Sequence, residues 1–342
     1  MTAPRVERID GAEADARAAQ MGPPLWPGTL HRDYLEADAL RDPALEPIWV
    51  AVHDGPSLWI HGLHRRCIEG CAGLFDASAP YGYGGPLCRA ADADFLPRAW
   101  RAYAEWMSEQ GVVVEYVRFH PLLSNERWYG GRVNANRPVV WVDLGDADFA
   151  RYYAPRLRST LNKAARLGLR YEEQALATAV PAFGAYYRRA MREMGADPFF
   201  DFSDDYFARL AQHPGARLGV CRGSGGDAWL AACLMLDGAG MTEYHLAATC
   251  AEGRRAGASS HALHQAALAA RGRGQRVLYL GGGSDTRPDN PLLFFKASFS
   301  PLRATYHTGF QVFDPERYDA LKRHFAPAWA AHPERPIFYR KV

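Results

Sequence analysis

Residues 276–306 read RVLYLGGGSDTRPDNPLLFFKASFSPLRATY, and their pattern is the most informative in the chain. The first five residues, RVLYL, combine β-branched, leucine and aromatic side chains, which is typical of a short buried strand. Glycines 281–283 follow directly, and residues without a Cβ atom can adopt left-handed backbone angles or let another group approach closely. A polar loop with prolines at 288 and 291 then leads into LLFFKASF, an apolar run whose only charged residue is Lys296.

Lys296 allows two interpretations. A cation among apolar side chains loses hydration, so it is expected only where something compensates its charge. In the first interpretation the lysine stem lies along apolar surface while the ammonium reaches water. In the second, a fixed cation in a poorly hydrated site stabilises negative charge that develops during a reaction. The residues alone favour the first interpretation.

The order of strand, three glycines, loop, Phe295-Lys296 and Phe299 resembles the C-terminal signature of the Fem family (FemABX-like), relatives of the GNAT acyltransferases. The resemblance implies an enzyme that forms amide bonds, typically by passing an amino acid from aminoacyl-tRNA to an amine. It also implies that Lys296 stabilises the oxyanion of the tetrahedral intermediate, with Phe295 beside it in the catalytic site. The implied fold class is α/β with mixed sheets, arranged as two tandem GNAT-like domains with a cleft between them.

Composition sets broad limits on function. The chain has 342 residues, of which 48% are hydrophobic, and a prior of ~150 residues per domain suggests two domains. Forty basic and 38 acidic residues give a formal charge of +2, so nucleic-acid binding would require local basic patches. The six cysteines are scattered without zinc-type spacing, and no metal site is predicted. No signal-like or membrane-spanning apolar run occurs, so we expect a cytoplasmic protein.

Strand and helix patterns in both halves predict the domain limits. The segments 47–53, 57–62, 112–119 and 139–144 are predicted strands, and 92–110 is a predicted helix. We expect a first GNAT-like domain at 1–147, which the C-terminal segment 305–342 completes, as the Fem resemblance implies. The second domain is expected at 148–304. Residues 1–25 are polar and Ala-rich, and we expect them to be loosely held.

The loop SAPYGYGGPL at 78–87 contains prolines and glycines that exclude both a helix and a regular strand. It is either a surface loop or a substrate-lining loop, because tyrosines on a glycine-shaped backbone offer ring faces and hydroxyls. Fem-like acyltransferases carry similar loops and a comparable Arg-Phe-His-Pro turn, which favours the second interpretation. The candidate substrate-binding residues are Tyr81, Tyr83, Gly84, Gly85, Arg118, His120, Gly282 and Gly283.

A basic segment follows the first half of the chain. No acidic residue occurs between Arg151 and Glu172, and a helix is predicted across 156–170. Its basic side chains form either a solvated helix face or a surface that contacts phosphates. Fem-like proteins open their second domain with a similar helix, and we treat the two interpretations as equal. The candidate donor-binding residues here are Arg156, Lys163, Arg166 and Arg170.

A second phosphate-binding candidate follows the predicted strand at 241–248. Arg254, Gly257 and Ser259 precede a helix predicted at 260–270, and a helix N-terminus favours anions through its free N–H groups and dipole. The Arg-x-x-Gly-x-Ser pattern resembles the loop that holds the coenzyme A pyrophosphate in GNAT enzymes, with serine where glycine or alanine is usual. Arg271, Arg273 and Arg276 form another basic cluster beyond this helix.

The leading hypothesis is therefore a Fem-type transferase that uses aminoacyl-tRNA as donor, with no tightly bound cofactor. The alternatives are a GNAT-like enzyme that uses acyl-coenzyme A, and a GNAT-fold binding module without catalysis. The residues do not identify the acceptor, and the Fem resemblance implies an amine of a small molecule or a peptidoglycan-precursor-like compound. Tyr244 or Glu243 on the predicted strand could relay a proton, and we assign Tyr244 to the catalytic set. His245 is interpreted as structural.

Overall fold

The computed structural model describes residues 4–22, 25–287 and 289–340 as a mixed α/β protein. The strands are β1 (Arg5–Ile9), β2 (Leu45–Asp54), β3 (Ser57–Cys67), β4 (Phe75–Ser78), β5 (Leu87–Arg89), β6 (Val112–Arg118), β7 (Arg132–Asp143), β8 (Arg170–Ala175), β9 (Ala216–Arg222), β10 (Trp229–Asp237), β11 (Met241–Thr249), β12 (Val277–Gly281) and β13 (Arg303–Val312).

The α-helices are α1 (Gly11–Met21), α2 (Arg32–Ala39), α3 (Phe95–Glu109), α4 (Pro155–Arg166), α5 (Val180–Glu193), α6 (Asp204–Leu210), α7 (Ala251–Ala256), α8 (Ala258–Gly272), α9 (Pro291–Ala297), α10 (Pro315–His324) and α11 (Ala326–Ala331).

The chain separates into two compact units, which we call the first and second units. The first unit contains residues 1–23, 38–136 and 306–342, and the second contains 24–37 and 137–305. Residues 137–147 fall in the second unit, whereas the sequence placed them in the first domain. The reason is strand pairing, because the end of β7 is paired with β12, with Asp143 opposite Val277.

In the first unit the strand order is β1-β2-β3-β4-β6-β13, with β5 paired to β3. The predicted hairpin is confirmed, since β2 and β3 pair antiparallel from Leu45–Arg66 to Asp54–Ser57. Helix α3 packs its buried Phe95, Ala99 and Tyr103 into the core of this unit. In the second unit the order is β7-β12-β11-β10-β9-β8, and the buried alanines of α8 pack into its core.

The expectation of a loosely held N-terminus is wrong for the described residues. Strand β1 pairs antiparallel with β2, and α1 follows it immediately. The Asp10 side chain accepts a hydrogen bond of 2.8 Å from the Glu13 amide, which satisfies an unpaired donor at the start of α1. Ala14 and Ala18 are buried, so the alanines that made this segment look featureless form its packing face.

Within the described residues, each unit contains one parallel strand pair whose strands are connected through one or two helices. In the first unit β4 and β6 are parallel and α3 lies between them in the chain. In the second unit β11 and β12 are parallel, with α7 and α8 between them. The shared connection places the loop after β4 and the segment after β11 at equivalent positions of the two units. These are the two regions to which the sequence assigned substrate and donor binding.

The core of the first unit contains a buried carboxyl group on β6. The Glu115 side chain is fully buried and accepts a hydrogen bond from the Tyr103 hydroxyl. Burial raises its pKa to about 7, although the Tyr103 hydrogen bond acts in the opposite direction. The His61 Nε2 atom lies 3.8 Å away, and burial lowers the pKa of His61 to about 3. The imidazole is therefore neutral at neutral pH.

We expect Glu115→Gln to stabilise the protein at pH 8 and to change its stability little at pH 5. The raised pKa means that the folded protein retains a proton which the unfolded chain loses above its ordinary pKa of 4.5. Stability therefore falls as the pH rises from about 4.5 to about 7, at about 1.4 kcal/mol per pKa unit. Thermal melts at both pH values measure the effect. Glu109→Gln, which changes an exposed glutamate of α3, is the control; equal melting-temperature shifts at the two pH values would contradict the prediction.

Candidate active site

Lys296 lies near the end of α9 and is 8% exposed. Its Nζ atom donates a hydrogen bond of 2.8 Å to the backbone carbonyl of Gly282. An ammonium group has three donors, so two N–H bonds remain for an incoming oxygen. No carboxylate pairs with this cation in the described part of the chain. Lys296 is thus a buried and uncompensated charge, which contradicts the snorkelling interpretation.

The environment of Lys296 changes its protonation. Burial, with a smaller contribution from the positive charge of Arg137, lowers the pKa of Lys296 to about 7. The ammonium and the neutral amine are therefore both accessible near neutral pH. A buried group with such a shifted pKa is a candidate for a functional residue. Sequence reasoning missed Arg137, because its approach depends on the pairing of β7 with β12.

The glycine-rich turn positions α9. Gly281 adopts a positive φ of 78°, one of the two uses that the sequence suggested for these glycines. Gly283 lies against Asn290 so closely that a Cβ atom at 283 would be 2.6 Å from the Asn290 side chain. The Asn290 Oδ1 atom accepts hydrogen bonds from the amides of Leu292 and Leu293 at 3.0 and 3.1 Å. It therefore caps the helix that carries Lys296.

The Asn290-Pro291 pair is a helix start, although the sequence analysis treated it as an interruption within a loop. An asparagine N-cap followed by proline at the first helical position is a known start signal, so the available signal was overlooked. The Asn290 Nδ2 atom also donates to Ser284 Oγ at 2.8 Å and to Asp285 Oδ1 at 3.0 Å. Pro288 lies outside the described residues.

Phe295 packs beneath the site. It is half-buried against the core of the second unit, and its ring meets Phe299 edge-on at 5.4 Å. Phe299 in turn contacts the Tyr153 ring at 5.3 Å. The Tyr153 hydroxyl is 3.2 Å from His264 Nδ1 on α8. This chain of aromatic contacts connects α9 to α8, and it gives Phe295 a packing role next to Lys296.

Tyr244 lies where two parallel strands separate. The β11–β12 ladder contains only three pairs and ends at Glu243–Tyr279, although β11 continues to Thr249. Tyr244 is the next residue on β11, and it packs partly against the core of the second unit. Burial raises the pKa of its hydroxyl, so the group stays protonated. In the first unit, by contrast, a bridge between Gly84 and Phe119 extends the parallel pairing.

The neighbours of Tyr244 have structural roles. The Glu243 carboxylate is buried and accepts hydrogen bonds from the Thr29 amide and hydroxyl at 2.8 and 2.9 Å. His245 Nε2 is 2.7 Å from the Tyr206 hydroxyl. The pairing between β10 and β11 has a register irregularity that passes over His245. These contacts disfavour Glu243 as a proton relay and agree with the structural interpretation of His245.

The loop at 78–87, which we call the Tyr-Gly loop, is held by a residue that the sequence did not indicate, Asn125. The Asn125 side chain donates to the carbonyls of Gly84 and Pro86 at 2.9 and 3.2 Å, and it accepts from the His120 amide at 3.0 Å. Gly85 is buried beside it. Asn125 therefore joins two predicted substrate-binding segments, and only the tertiary fold brings them together.

The remaining predicted residues of this loop lie in the same cluster. The Tyr83 ring contacts the rings of His120 and Tyr306 edge-on at 5.2 and 5.6 Å. The Tyr81 amide donates to Asp38 Oδ2 at 2.9 Å. The Arg118 guanidinium donates to the Ala79 carbonyl at 3.3 Å. Together these aromatic and basic groups form a partly exposed surface of the first unit, while Gly282 and Gly283 belong to the second unit.

The predicted phosphate loop differs from the expected turn. Arg254 lies within α7, and α8 begins at Ala258, two residues before the predicted start. The Arg254 guanidinium donates to the Thr249 carbonyl at 2.9 Å, and the Ser259 hydroxyl is 2.7 Å from Thr249 Oγ1. Thr160 of α4 packs on Gly257, where a Cβ atom would be 2.6 Å from the threonine methyl group. The Arg254 and Ser259 side chains, which were expected to hold a pyrophosphate, already contact protein.

The predicted basic helix is present as α4, but it ends at Arg166, and Arg170 lies on β8 instead. Gly168 between them has a φ of 65°, which ends the helix. Arg156 and Arg166 are exposed. Lys163 donates to the Arg255 carbonyl at 2.9 Å, and Arg170 makes only long contacts of 3.4 Å to the carbonyls of Gly223 and Gly226.

Helix α4 contacts both elements that flank the candidate site. Near its start the Arg156 guanidinium lies over the Phe294 ring of α9 at 5.4 Å. Near its end Lys163 reaches the C-terminal end of α7. The second basic cluster, Arg271, Arg273 and Arg276, lies at the C-terminal end of α8. At 1.5 Å per residue, that end is about 20 Å from the start of α8 at Ala258. There Arg273 is paired with Asp237 at 2.7 Å and also with Glu173.

The fold and the site together describe a mixed α/β protein in which a buried lysine lies next to a glycine-rich turn. Within the described residues, none of the helices combines the length and hydropathy needed to cross a lipid bilayer. No protein-family model matches the chain, and no curated protein matches it.

Solved structures do share its fold. FemX matches 94% of this chain and 99% of its own, with a TM-score of 0.68 and 13% identity. L-PGS from Bacillus licheniformis matches 89% of this chain and 92% of its own, with a TM-score of 0.58 and 13% identity. The C-terminal domain of a putative lysylphosphatidylglycerol synthetase from Agrobacterium fabrum matches 97% and 99%, with a TM-score of 0.56 and 18% identity. The Fem-type resemblance and the α/β fold class are therefore confirmed at the level of fold.

Proposed function

We propose that this protein is an amide-forming acyltransferase of Fem type that takes an aminoacyl group from aminoacyl-tRNA. The observation that carries the proposal is the Lys296 ammonium, which is buried, has no carboxylate partner among the described residues, and is fixed by the Gly282 carbonyl at 2.8 Å. A fixed donor in a poorly hydrated site stabilises an oxyanion without reorganisation during the reaction. The fold shared with FemX supports the same class of chemistry.

The proposed reaction uses few protein groups. The acceptor amine attacks the ester carbonyl of the donor, and a carbon–nitrogen bond forms. Lys296 donates to the carbonyl oxygen as it becomes negative. The ester carbon–oxygen bond then breaks, and the proton lost by the amine passes to the leaving oxygen of the tRNA. Tyr244, with a protonated hydroxyl at the point where β11 and β12 separate, is the proposed relay for that proton. Positioning of the two substrates supplies much of the rate.

Two features support tRNA over acyl-coenzyme A as the donor. The Arg254 guanidinium and the Ser259 hydroxyl are engaged by Thr249, and Thr160 covers Gly257. These contacts engage two side chains that would otherwise be available to the pyrophosphate of coenzyme A. In contrast, the Arg156 and Arg166 side chains of α4 are exposed. Exposed cations that can neutralise several phosphates favour a polynucleotide donor.

The acceptor is proposed to be an amine of a small molecule or of a peptidoglycan-precursor-like compound. The Tyr-Gly loop of the first unit offers Tyr81 and Tyr83 as aromatic contacts, with Arg118 as a cation, to such a molecule. Cations and aromatic faces together suit an acceptor that carries both carboxylate and apolar groups. The identity of the transferred amino acid is left to experiment.

A transfer assay with alternative donors tests the proposal. We expect product from a mixed pool of charged tRNA with a panel of amines, and none from acetyl-coenzyme A with the same panel. Product from acyl-coenzyme A alone would favour the GNAT-like alternative. The absence of product from every donor, with Lys296→Met binding all ligands as the unmodified protein does, would favour a binding module.

A further inference from the structure

We propose that Arg151, Tyr152, Arg156 and Phe294, which we call the aromatic–arginine surface, bind the unpaired nucleotides at the 3′ end of the donor RNA. The inference rests on the proposed function and assigns it a further contact region. It differs from the phosphate-contacting role of α4, because stacking requires ring faces.

The aromatic–arginine surface is exposed although it is rich in aromatic groups. Phe294 is 62% exposed and Tyr152 is 50% exposed, so both rings are open to solvent. Phe294 and the buried Lys296 are two residues apart on α9, and a two-residue step of about 200° places them on opposite faces of a helix. Packing therefore explains the burial of Lys296, whereas Phe294 lies on the exposed side of α9, where the Arg156 guanidinium lies over its ring.

Both rings carry a guanidinium group. Arg156 lies 5.4 Å from the centre of the Phe294 ring, and Arg151 lies 4.7 Å from the centre of the Tyr152 ring. Arg151 also donates to the Tyr152 hydroxyl at 2.6 Å and pairs with Asp146 at 2.8 Å. Asp146 thus compensates Arg151 in charge. Arg156 has no carboxylate partner in the described residues and is available to a phosphate.

The two aromatic–arginine pairs are neighbours. The Ala154 amide, between Tyr152 and Arg156, donates to the Ser298 carbonyl at 2.9 Å. The segment before α4 is therefore attached to the C-terminal end of α9, next to Lys296. A strand of nucleotides that crosses this surface would end beside the site that acts on its terminal ester.

The chemistry of this surface matches single-stranded nucleic acid. Such proteins combine cations that follow the backbone with aromatic rings on which bases stack, and stacking contributes about 1–3 kcal/mol per base. Basic and aromatic side chains can also bind an anionic membrane surface. The guanidinium groups over the ring faces favour RNA, because inserting these rings into acyl chains would carry the charged groups into the lipid as well.

Fluorescence anisotropy with uncharged RNA tests the inference apart from catalysis. The probes are a seven-base-pair hairpin with a four-nucleotide 3′ overhang and the same hairpin with a blunt end. We expect the overhang to tighten binding about 5-fold to 150-fold for each stacked base. Phe294→Ala should reduce this gain, Phe294→Ala combined with Tyr152→Ala should abolish it, and Phe294→Trp should preserve it. Met194→Ala, at another exposed apolar position of the second unit, is the matched control.

The outcomes separate the inference from the proposed function. Equal binding of both hairpins, or a gain that survives Phe294→Ala and Tyr152→Ala together, would overturn the inference. Loss of binding to vesicles with 30% anionic lipid in Phe294→Ala, with unchanged RNA binding, would assign the surface to a membrane instead. Overhang binding through Phe294 without transfer from charged tRNA would uphold the inference and reject the proposed function. Transfer from charged tRNA that Phe294→Ala leaves unchanged would uphold the proposed function and reject the inference.

Discussion

Replacing Lys296 with methionine is expected to lower turnover by about 10²–10³-fold, the usual cost of removing one oxyanion donor. Methionine keeps the length and apolar packing of the stem but removes the charge and the hydrogen bond to the Gly282 carbonyl. Donor affinity should change much less, since the charge acts mainly on the transition state. Single-turnover transfer at saturating donor measures the effect. Near-normal turnover would show that Lys296 has no part in catalysis.

The same substitution is not expected to lower stability at neutral pH. Burial lowers the pKa of Lys296 from 10.5 to about 7, so folding disfavours its charged form. Between these values the unfolded chain holds a proton that the folded protein has lost, and stability therefore rises with pH through this window. Lys296→Met removes this pH dependence of stability. It also removes the free-energy cost that folding incurs below pH 10 because the buried lysine must lose its proton. A slow enzyme with an equal or higher melting temperature would distinguish loss of chemistry from loss of fold.

The pH profile distinguishes two roles for Lys296. If the ammonium stabilises the oxyanion, turnover should fall as the pH rises through about 7, where the amine becomes neutral. Arginine stays charged, so Lys296→Arg should be slower but should lack this fall. Using one acceptor for both proteins cancels the titration of the acceptor amine. A rise in turnover above pH 7 that is specific to lysine would instead identify Lys296 as a general base.

The second large effect is expected from Arg156→Ala, Arg166→Ala and Arg170→Ala combined. These side chains are exposed, so the substitutions should leave the fold intact. Log affinity falls with log salt, and each lost phosphate contact makes this fall shallower by about 1 in slope. The triple variant should therefore have a slope that is shallower by about 3. Transfer at subsaturating tRNA should fall accordingly, while turnover at saturation changes little.

A matched variant controls for net charge. Arg101, Arg132 and Arg323 are exposed arginines outside the second unit, and their combined change to alanine alters the formal charge equally. This control should keep the salt slope of the unmodified protein. Equal slopes in both triple variants would show that α4 is only a solvated helix face.

Local patterns allowed much of the fold to be predicted. The alternation of β2 and β3 across a short turn, the basic periodicity of α4 and the apolar run of β12 all depend on residues close in sequence. The glycine-rich turn was predicted for the same reason, because a positive φ at Gly281 is a local property. Lys296 was selected through resemblance, and its burial was then visible only in the structure.

Long-range contacts explain what the sequence could not provide. Arg273 was counted as a free cation, but its partners Asp237 and Glu173 are 36 and 100 residues away. Asn125 holds a loop about 40 residues earlier in the chain. The covering of Gly257 by Thr160 depends on how α4 packs. In each case a distant partner decides whether a polar group is available to a ligand.

The cap of α9 affects how far the loop before it can change in length during evolution. Asn290 joins Ser284 and Asp285 on one side and the helix start on the other, so the loop is closed at its base. Thr286 and Arg287 are exposed, and the Arg287 backbone joins the same closure, because its amide donates to Asp285 Oδ1 at 3.0 Å and its carbonyl accepts from the Asn290 amide at 3.2 Å. Lengthening a loop costs only about 0.6 kcal/mol for each doubling. An insertion after Thr286 would break the contact between Asp285 and Arg287. It would leave the Asn290 hydrogen bonds to Leu292 and Leu293, so the helix that carries the lysine could keep its cap while this tip diverges among descendants of the chain.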